Sequence, residues 1–191
     1  MRKAPKKRRK KLTTKAILGL IFVLAFIVIF VCIGITSRYI DDFDDSHYGT
    51  AFVLTHTASD YIDSEKAAGY YETGKTDDYY GQVHDFLNLM RVEGDLDRLY
   101  VFVPLENAFV TLWDTDSTAG NALGVRQAFE GEFKENAMSA FSVKAEENAY
   151  LKGYEGNKLI VTAFSPVCDQ SGKPVALVAA EFKGENIILK I

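Results

Sequence analysis

The chain has 191 residues, about half of them apolar, which is room for one ordinary domain and a tail. Its net charge of −4 conceals an asymmetry: nine of the 22 basic residues lie within the first 15 positions, leaving 13 basic against 26 acidic residues after Lys15. An acidic body excludes nucleic acid as its partner, because phosphate binding needs a positive surface.

The first 15 residues form a basic tail. From Ala16 to Ile35, "AILGLIFVLAFIVIFVCIGI" carries no charge. A helix rises about 1.5 Å per residue, so this stretch matches a bilayer core of about 30 Å. Lys and Arg on its N-terminal side predict a cytoplasmic N-terminus, with the rest of the chain outside. A cleaved signal peptide has a shorter apolar region. A lipoprotein would need small residues before its cysteine, and Phe30-Val31 precede Cys32. An uncleaved single-pass anchor over residues 16–36 is therefore expected. Cys32 and Cys168 support no disulfide, since the first lies inside the span.

Residues 37–68 follow as a juxtamembrane helix. Tyr48, Ala51, Phe52, Thr55, Ser59 and Ile62 recur at steps of three and four and share one helical face. With no proline after Lys15 in this region, the membrane helix can run on into it, and its stripe either covers a sheet or forms a homodimer surface. A polar break, "ETGKTDD", precedes a second amphipathic helix marked by Tyr79, Val83, Phe86, Leu87 and Met90, with Thr76 or Asp77 as N-cap.

Two strands are expected next, Leu99 to Val103 and Ala108 to Asp114, rich in β-branched and aromatic residues. Short helices are expected near Val125 to Phe129 and around Phe133, Ala137, Ala140 and Phe141, then a strand at Phe141 to Lys144. A Gly-rich turn at Gly153 to Asn157 leads into "TAFSPVCDQSGKPVALVAAEF". That segment reads as a hairpin, Thr162 to Val167 and Pro174 to Phe182, turning at Asp169-Gln170-Ser171-Gly172. Hairpin-linked strands with helices set apart predict an α+β fold with an antiparallel sheet.

Catalytic chemistry has no signature here. His47 and His56 are nine residues apart and fall on opposite faces of a helix. Nucleophile elbow and phosphate loop are both missing, so no enzyme, cofactor or metal site is expected. The acidic run Asp41, Asp42, Asp44 and Asp45 reads as a solvated juxtamembrane stop, with divalent-cation bridging to lipid as the alternative.

Three stretches, "YVFVPLENAFVTLWDTD", "ALGVRQAFEGEF" and "AFSPVCDQSGKPVALVAAEF", stand in an order that resembles the Cache family of bacterial extracellular sensors, PAS-like in fold and here of single-module form. The resemblance covers roughly Tyr39 to Ile188. It implies a five-stranded antiparallel sheet with a long N-terminal helix on one face, a sensor core over residues 69–191, and a small-molecule pocket on the other face. It implies as ligand-binding residues Trp113, Asp114, Asp116, Arg126, Tyr150 and Glu181, for an amino acid or a carboxylate. Arg126 would suit a carboxylate; Glu181, standing where the family has Asp, or Asp114 would suit an ammonium. Core packing is the alternative for Trp113 and Tyr150, and turn capping for Asp114 and Asp116.

The expected function is the extracytoplasmic ligand-sensing domain of a cell-membrane receptor of the chemotaxis-transducer, histidine-kinase, cyclase or phosphatase type, its output domain outside this chain. The alternative is a bitopic membrane protein whose external domain binds a protein partner.

Overall fold

The computed structural model describes residues 6–116, 123–142, 149–155 and 158–183. It opens with helix α1, Lys6–Tyr61, then α2, Ser64–Thr73, and α3, Asp78–Glu93. Strands β1 (Arg98–Pro104), β2 (Ala108–Asp114) and β3 (Arg126–Ala128) precede helix α4, Gly131–Ser142. Strands β4 (Ala149–Glu155), β5 (Lys158–Cys168) and β6 (Pro174–Lys183) complete the order. The chain divides into two compact units, Met1–Asp42 and Phe43–Lys190.

In the first unit, Lys15–Arg38 is long and apolar enough to cross a membrane, with a mean hydropathy of 3.4 and no residue of its apolar window buried. The stripe of large apolar side chains runs all round the helix, from Ile17 to Ile35. That is the pattern of a helix whose solvent is hydrocarbon rather than one covering a core.

The second unit is an α+β domain. Its six strands pair antiparallel in the order β3-β2-β1-β6-β5-β4. Five of them make the expected sheet. The sixth, β3, occupies Arg126–Ala128, where the spacing of Val125 and Phe129 predicts a helix; three residues bonded along the edge of β2 prevail over that local pattern. The strand expected at Phe141 to Lys144 is displaced to Ala149–Glu155: Phe141 and Ser142 end α4, and residues 143–148 lie outside the described residues.

Each face of the sheet is covered. On one side Ala51, Thr55, Ala58, Ser59 and Ile62 of α1 pack with Val83, Leu87 and Met90 of α3 against Leu99, Val101, Val178 and Ala180. The α1 stripe therefore covers the sheet, and a buried hydrogen bond of 3.0 Å between Ser59 and Ser165 joins α1 to β5. On the other side α4 brings Phe133, Ala137 and Ala140 onto Tyr100, Phe102, Phe109, Phe164 and Leu177. Central strand β6 is buried on both faces, which is why "ALVAA" is an unbroken apolar run.

Local chemistry fixes the joints. Asp63 caps α2 by accepting from the Glu65 and Lys66 amides, and Asp77 caps α3 by accepting from Tyr79 and Tyr80. In the β5–β6 turn, Oδ1 of Asp169 accepts from the amides of Ser171 and Lys173, and Gly172 takes a φ of +80° that side chains disfavour. Gly94 serves a different need, close approach. A Cβ there would lie 2.9 Å from the Met90 carbonyl oxygen and 2.3 Å from Leu54 Cδ1. Leu54 can shift but the carbonyl cannot, so Gly94→Ala is expected to destabilise by about 1–3 kcal/mol in thermal unfolding.

Asp77 also accepts from Lys66 Nζ and Tyr70 Oη. The hydrogen bond from Lys66, then that from Tyr70, hold its carboxyl down at about 2, against an ordinary 3.8. A depressed carboxyl stabilises the fold above its unfolded pKa and loses that contribution as it protonates in the native state. Stability is therefore expected to fall as pH drops from about 4 through 2, with Asp77→Asn flattening that part of the pH–stability curve.

Candidate functional site

Alternation along the strands decides what the α4 face carries. On β1, Arg98, Tyr100 and Phe102 point one way; on β6, Leu177, Ala179 and Glu181 do. In the centre of the sheet these positions are apolar and lie under α4. Towards the start of β1 and the end of β6 they turn polar. Register places Arg98 opposite Glu181, and Glu181 opposite Thr162 of β5. A cavity of about 390 Å³ opens over this row. Its polar wall is Arg98, Thr162, Glu181 and Lys183; Phe133 of α4, Leu151 of β4 and Ile160 of β5 form the apolar wall, and Gly153 leaves space beside them.

The charged groups are tied to one another. Arg98 Nε donates to Asp114 Oδ1 at 3.0 Å, and Nη2 donates to Oδ2, a two-pronged pair at the end of β2. The Asp114 side chain is wholly buried and that of Arg98 is 19% exposed. The guanidinium lies 4.3 Å from the centre of the Tyr100 ring. Burial alone would lower the Arg98 pKa, but the hydrogen bonds and charge of Asp114 outweigh it and hold the group above its ordinary value. Tyr100 Oη donates to Glu181 Oε1 at 2.7 Å. Burial first, then the Glu181 charge and this hydrogen bond, push the Tyr100 hydroxyl well up. Burial also raises Glu181, against the pull of Tyr100, Arg98 and Lys183.

Thr162 is 2% exposed, lines the cavity, and makes no side-chain hydrogen bond among the described residues. A buried hydroxyl in that state is uncommon and is met by water or a ligand. The site thus offers one carboxylate with acceptor capacity left, one hydroxyl beside it, and an apolar wall opposite.

The six residues expected from sequence are dispersed. Asp114 and Glu181 come together, joined through Arg98 and Tyr100. Asp116 adds its amide, which donates to Asp114 Oδ1 at 2.9 Å, so Asp114 both pairs and caps its turn. Trp113 lies on the opposite face: it pairs with Val101, stacks on Tyr80 at 5.1 Å between ring centres, and donates Nε1 to the Tyr80 carbonyl. A bulge between Val101 and Phe102 lets both Leu112 and Trp113 face α1–α3. Tyr150 also faces that way, paired with Ala163 and 4.6 Å from the ring of Tyr48. Arg126 is exposed on β3, beside a separate depression formed by Leu105 to Ala108.

Arg98, Tyr100 and Thr162 were not anticipated. The signal was available: Arg98, Tyr100 and Phe102 alternate, so a cation at the head of an aromatic strand shares its ring face. Among the described residues no three His, Cys, Asp or Glu side chains gather to hold a metal ion. The side chains of Asp41 to Asp45 lie outside the described residues.

Helix cover on one face, α4 on the other and the terminal hairpin at the centre make this a PAS-like α+β domain behind an apolar helix. No protein-family model and no curated protein matches the chain. Solved structures do resemble it. The sensor domain of E. coli DcuS does so at 14% identity and a TM-score of 0.49, over 72% of this chain and 89% of that one. The sensory domain of the Campylobacter jejuni chemoreceptor Tlp3 (CcmL), with isoleucine bound, is 9% identical, with a TM-score of 0.46 over 79% of this chain. The periplasmic domain of Vibrio cholerae LuxQ is 11% identical, with a TM-score of 0.44 over 78% of this chain. The chain spans 56% of the Campylobacter domain and 62% of the LuxQ domain.

Proposed function

We propose that this chain is the ligand-sensing part of a bacterial membrane receptor. Residues 16–36 cross the membrane once, the basic N-terminus stays in the cytoplasm, and the Phe43–Lys190 unit lies outside it. A small molecule enters the cavity under α4. Receptor output, whether by a chemotaxis transducer, a histidine kinase, a cyclase or a phosphatase, belongs to another domain, and this one carries out no catalysis.

One observation carries the reading: Glu181 and Thr162 stand side by side in a cavity with an apolar wall, the hydroxyl buried and without a partner among the described residues. Concave sites that bind small molecules combine such apolar lining with a few placed polar groups. The candidate span on the same helix α1 supports the membrane setting. Two copies in one membrane are expected to associate as a homodimer. A second reading, an external domain that binds a protein, is favoured by Leu89 and Val92 on α3, apolar and 58% and 59% exposed.

Ligand-dependent stability separates them. The single tryptophan, Trp113, is fully buried in the domain, so its fluorescence follows unfolding of that unit in the full chain held in nanodiscs. A panel of amino acids, primary amines, carboxylates, purines, Mg²⁺ and Ca²⁺ is expected to contain a stabilising compound. At 100 times its dissociation constant a ligand adds about 2.7 kcal/mol, or roughly 5–10 °C in the midpoint. Glu181→Gln should abolish the shift. A panel with no effect on a cooperatively unfolding protein would reject the sensory reading in favour of a protein partner.

A further inference from the structure

We propose that Asp114 sets the charge class of the ligand: by occupying the fork of Arg98 it leaves Glu181 to meet the ligand, which is a small primary amine with an apolar body. The inference rests on the sensory reading above and narrows it.

Arg98 lines the cavity, and an arginine there would ordinarily mark a carboxylate site. Here its Nε and Nη2 both donate to a carboxylate that is itself wholly buried, and its plane lies over Tyr100. A ligand carboxylate would find that edge of the guanidinium taken and its charge already balanced by Asp114, and it would face Glu181, a like charge. An ammonium meets the opposite situation. Glu181 Oε1 holds one hydrogen bond, from Tyr100, and an ionised carboxylate has about four acceptor sites. Thr162 lies directly across the β5–β6 ladder from Glu181 with its hydroxyl in the same cavity. A primary ammonium, with three donors, can give one to each and keep another for water. Phe133, Leu151 and Ile160 then receive the apolar body.

Phenethylamine and phenylacetate share an apolar body and differ in charge, so they test the inference by calorimetric titration of the full chain in nanodiscs. The unaltered chain is expected to prefer phenethylamine at least tenfold. Asp114→Asn keeps the shape at that position, removes the charge that balances Arg98, and should shrink the preference at least tenfold while phenylacetate binding appears. The double variant Arg98→Met with Asp114→Leu removes both charges together and should keep the preference for the amine. An Asp114→Asn protein with an unchanged preference overturns the proposal. If that variant does not fold, the double variant decides: phenylacetate binding gained, or the amine preference lost, overturns it. Phenylacetate preferred by the unaltered chain overturns the proposal and leaves the sensory reading standing. Failure of both probes while another panel compound without an amine binds does the same, and a panel with no binder defeats both.

Discussion

Arg98→Ala is expected to cost about 3–5 kcal/mol of folding stability, the range for removing one partner of a buried ion pair. The cost arises on the other side of the pair. Asp114 has no exposed side-chain surface, so its carboxylate cannot turn to water when the guanidinium goes. The bond it also accepts from the Asp116 amide does not replace two charge-assisted ones. For a unit of this size the thermal midpoint should fall by roughly 10 °C or more. Arg98→Lys restores the charge without the fork and should recover only part of the loss. The loss should shrink again in the double variant Arg98→Met with Asp114→Leu, because the carboxylate that the arginine pairs is then removed with it. A midpoint for Arg98→Ala within 2 °C of the unaltered chain would show that the pair contributes little.

Trp113→Ala should be comparably damaging, by about 3–5 kcal/mol, for a different reason. Its indole is fully buried, stacked on Tyr80 and edge-on to Tyr70 at 5.5 Å, and it also ties β2 to α3 through Nε1. Truncation opens a hole on the α1–α3 side and leaves the Tyr80 carbonyl without that donor. Circular dichroism would follow the unfolding, since the mutation removes the fluorophore. Trp113→Phe should cost less, keeping most of the packing. Ligand affinity at the α4-side cavity should stay within about twofold in Trp113→Phe, because the sheet separates the two. A tenfold loss of affinity in that variant would place the tryptophan in the ligand site after all.

These two residues also show what a sequence can and cannot say here. Helical phase was legible: Ala51, Thr55, Ser59 and Ile62 stand at the spacing that buries them, as do Val83, Leu87 and Met90. The hairpin was legible because Asp169 and Gly172 are turn chemistry with a mechanism. The face on which Trp113 falls was not, since a single bulged residue reverses the alternation and no local residue announces it. Strand β4 carries Lys152 and Gly153 within seven residues, too weak a strand pattern to compete with the aromatic residues that end α4. The site was half legible. Glu181 stood out as a carboxylate at the end of a buried strand, but its neighbours come from β1 and β5, and only register brings Arg98 and Thr162 beside it.

Strand β3 has a consequence for how the protein behaves among its own copies. An open sheet can lengthen by recruiting a strand from a neighbouring molecule, and the recruit needs a ladder of several residues to hold on to. On this side the outermost strand offers only Arg126, Gln127 and Ala128. Arg126 is exposed at the rim, so two such edges brought together would also face like charges. If the proposed anchor holds such domains near one another in the plane of a membrane, they meet often; along this edge, growth into a continuous sheet has almost nothing to begin from.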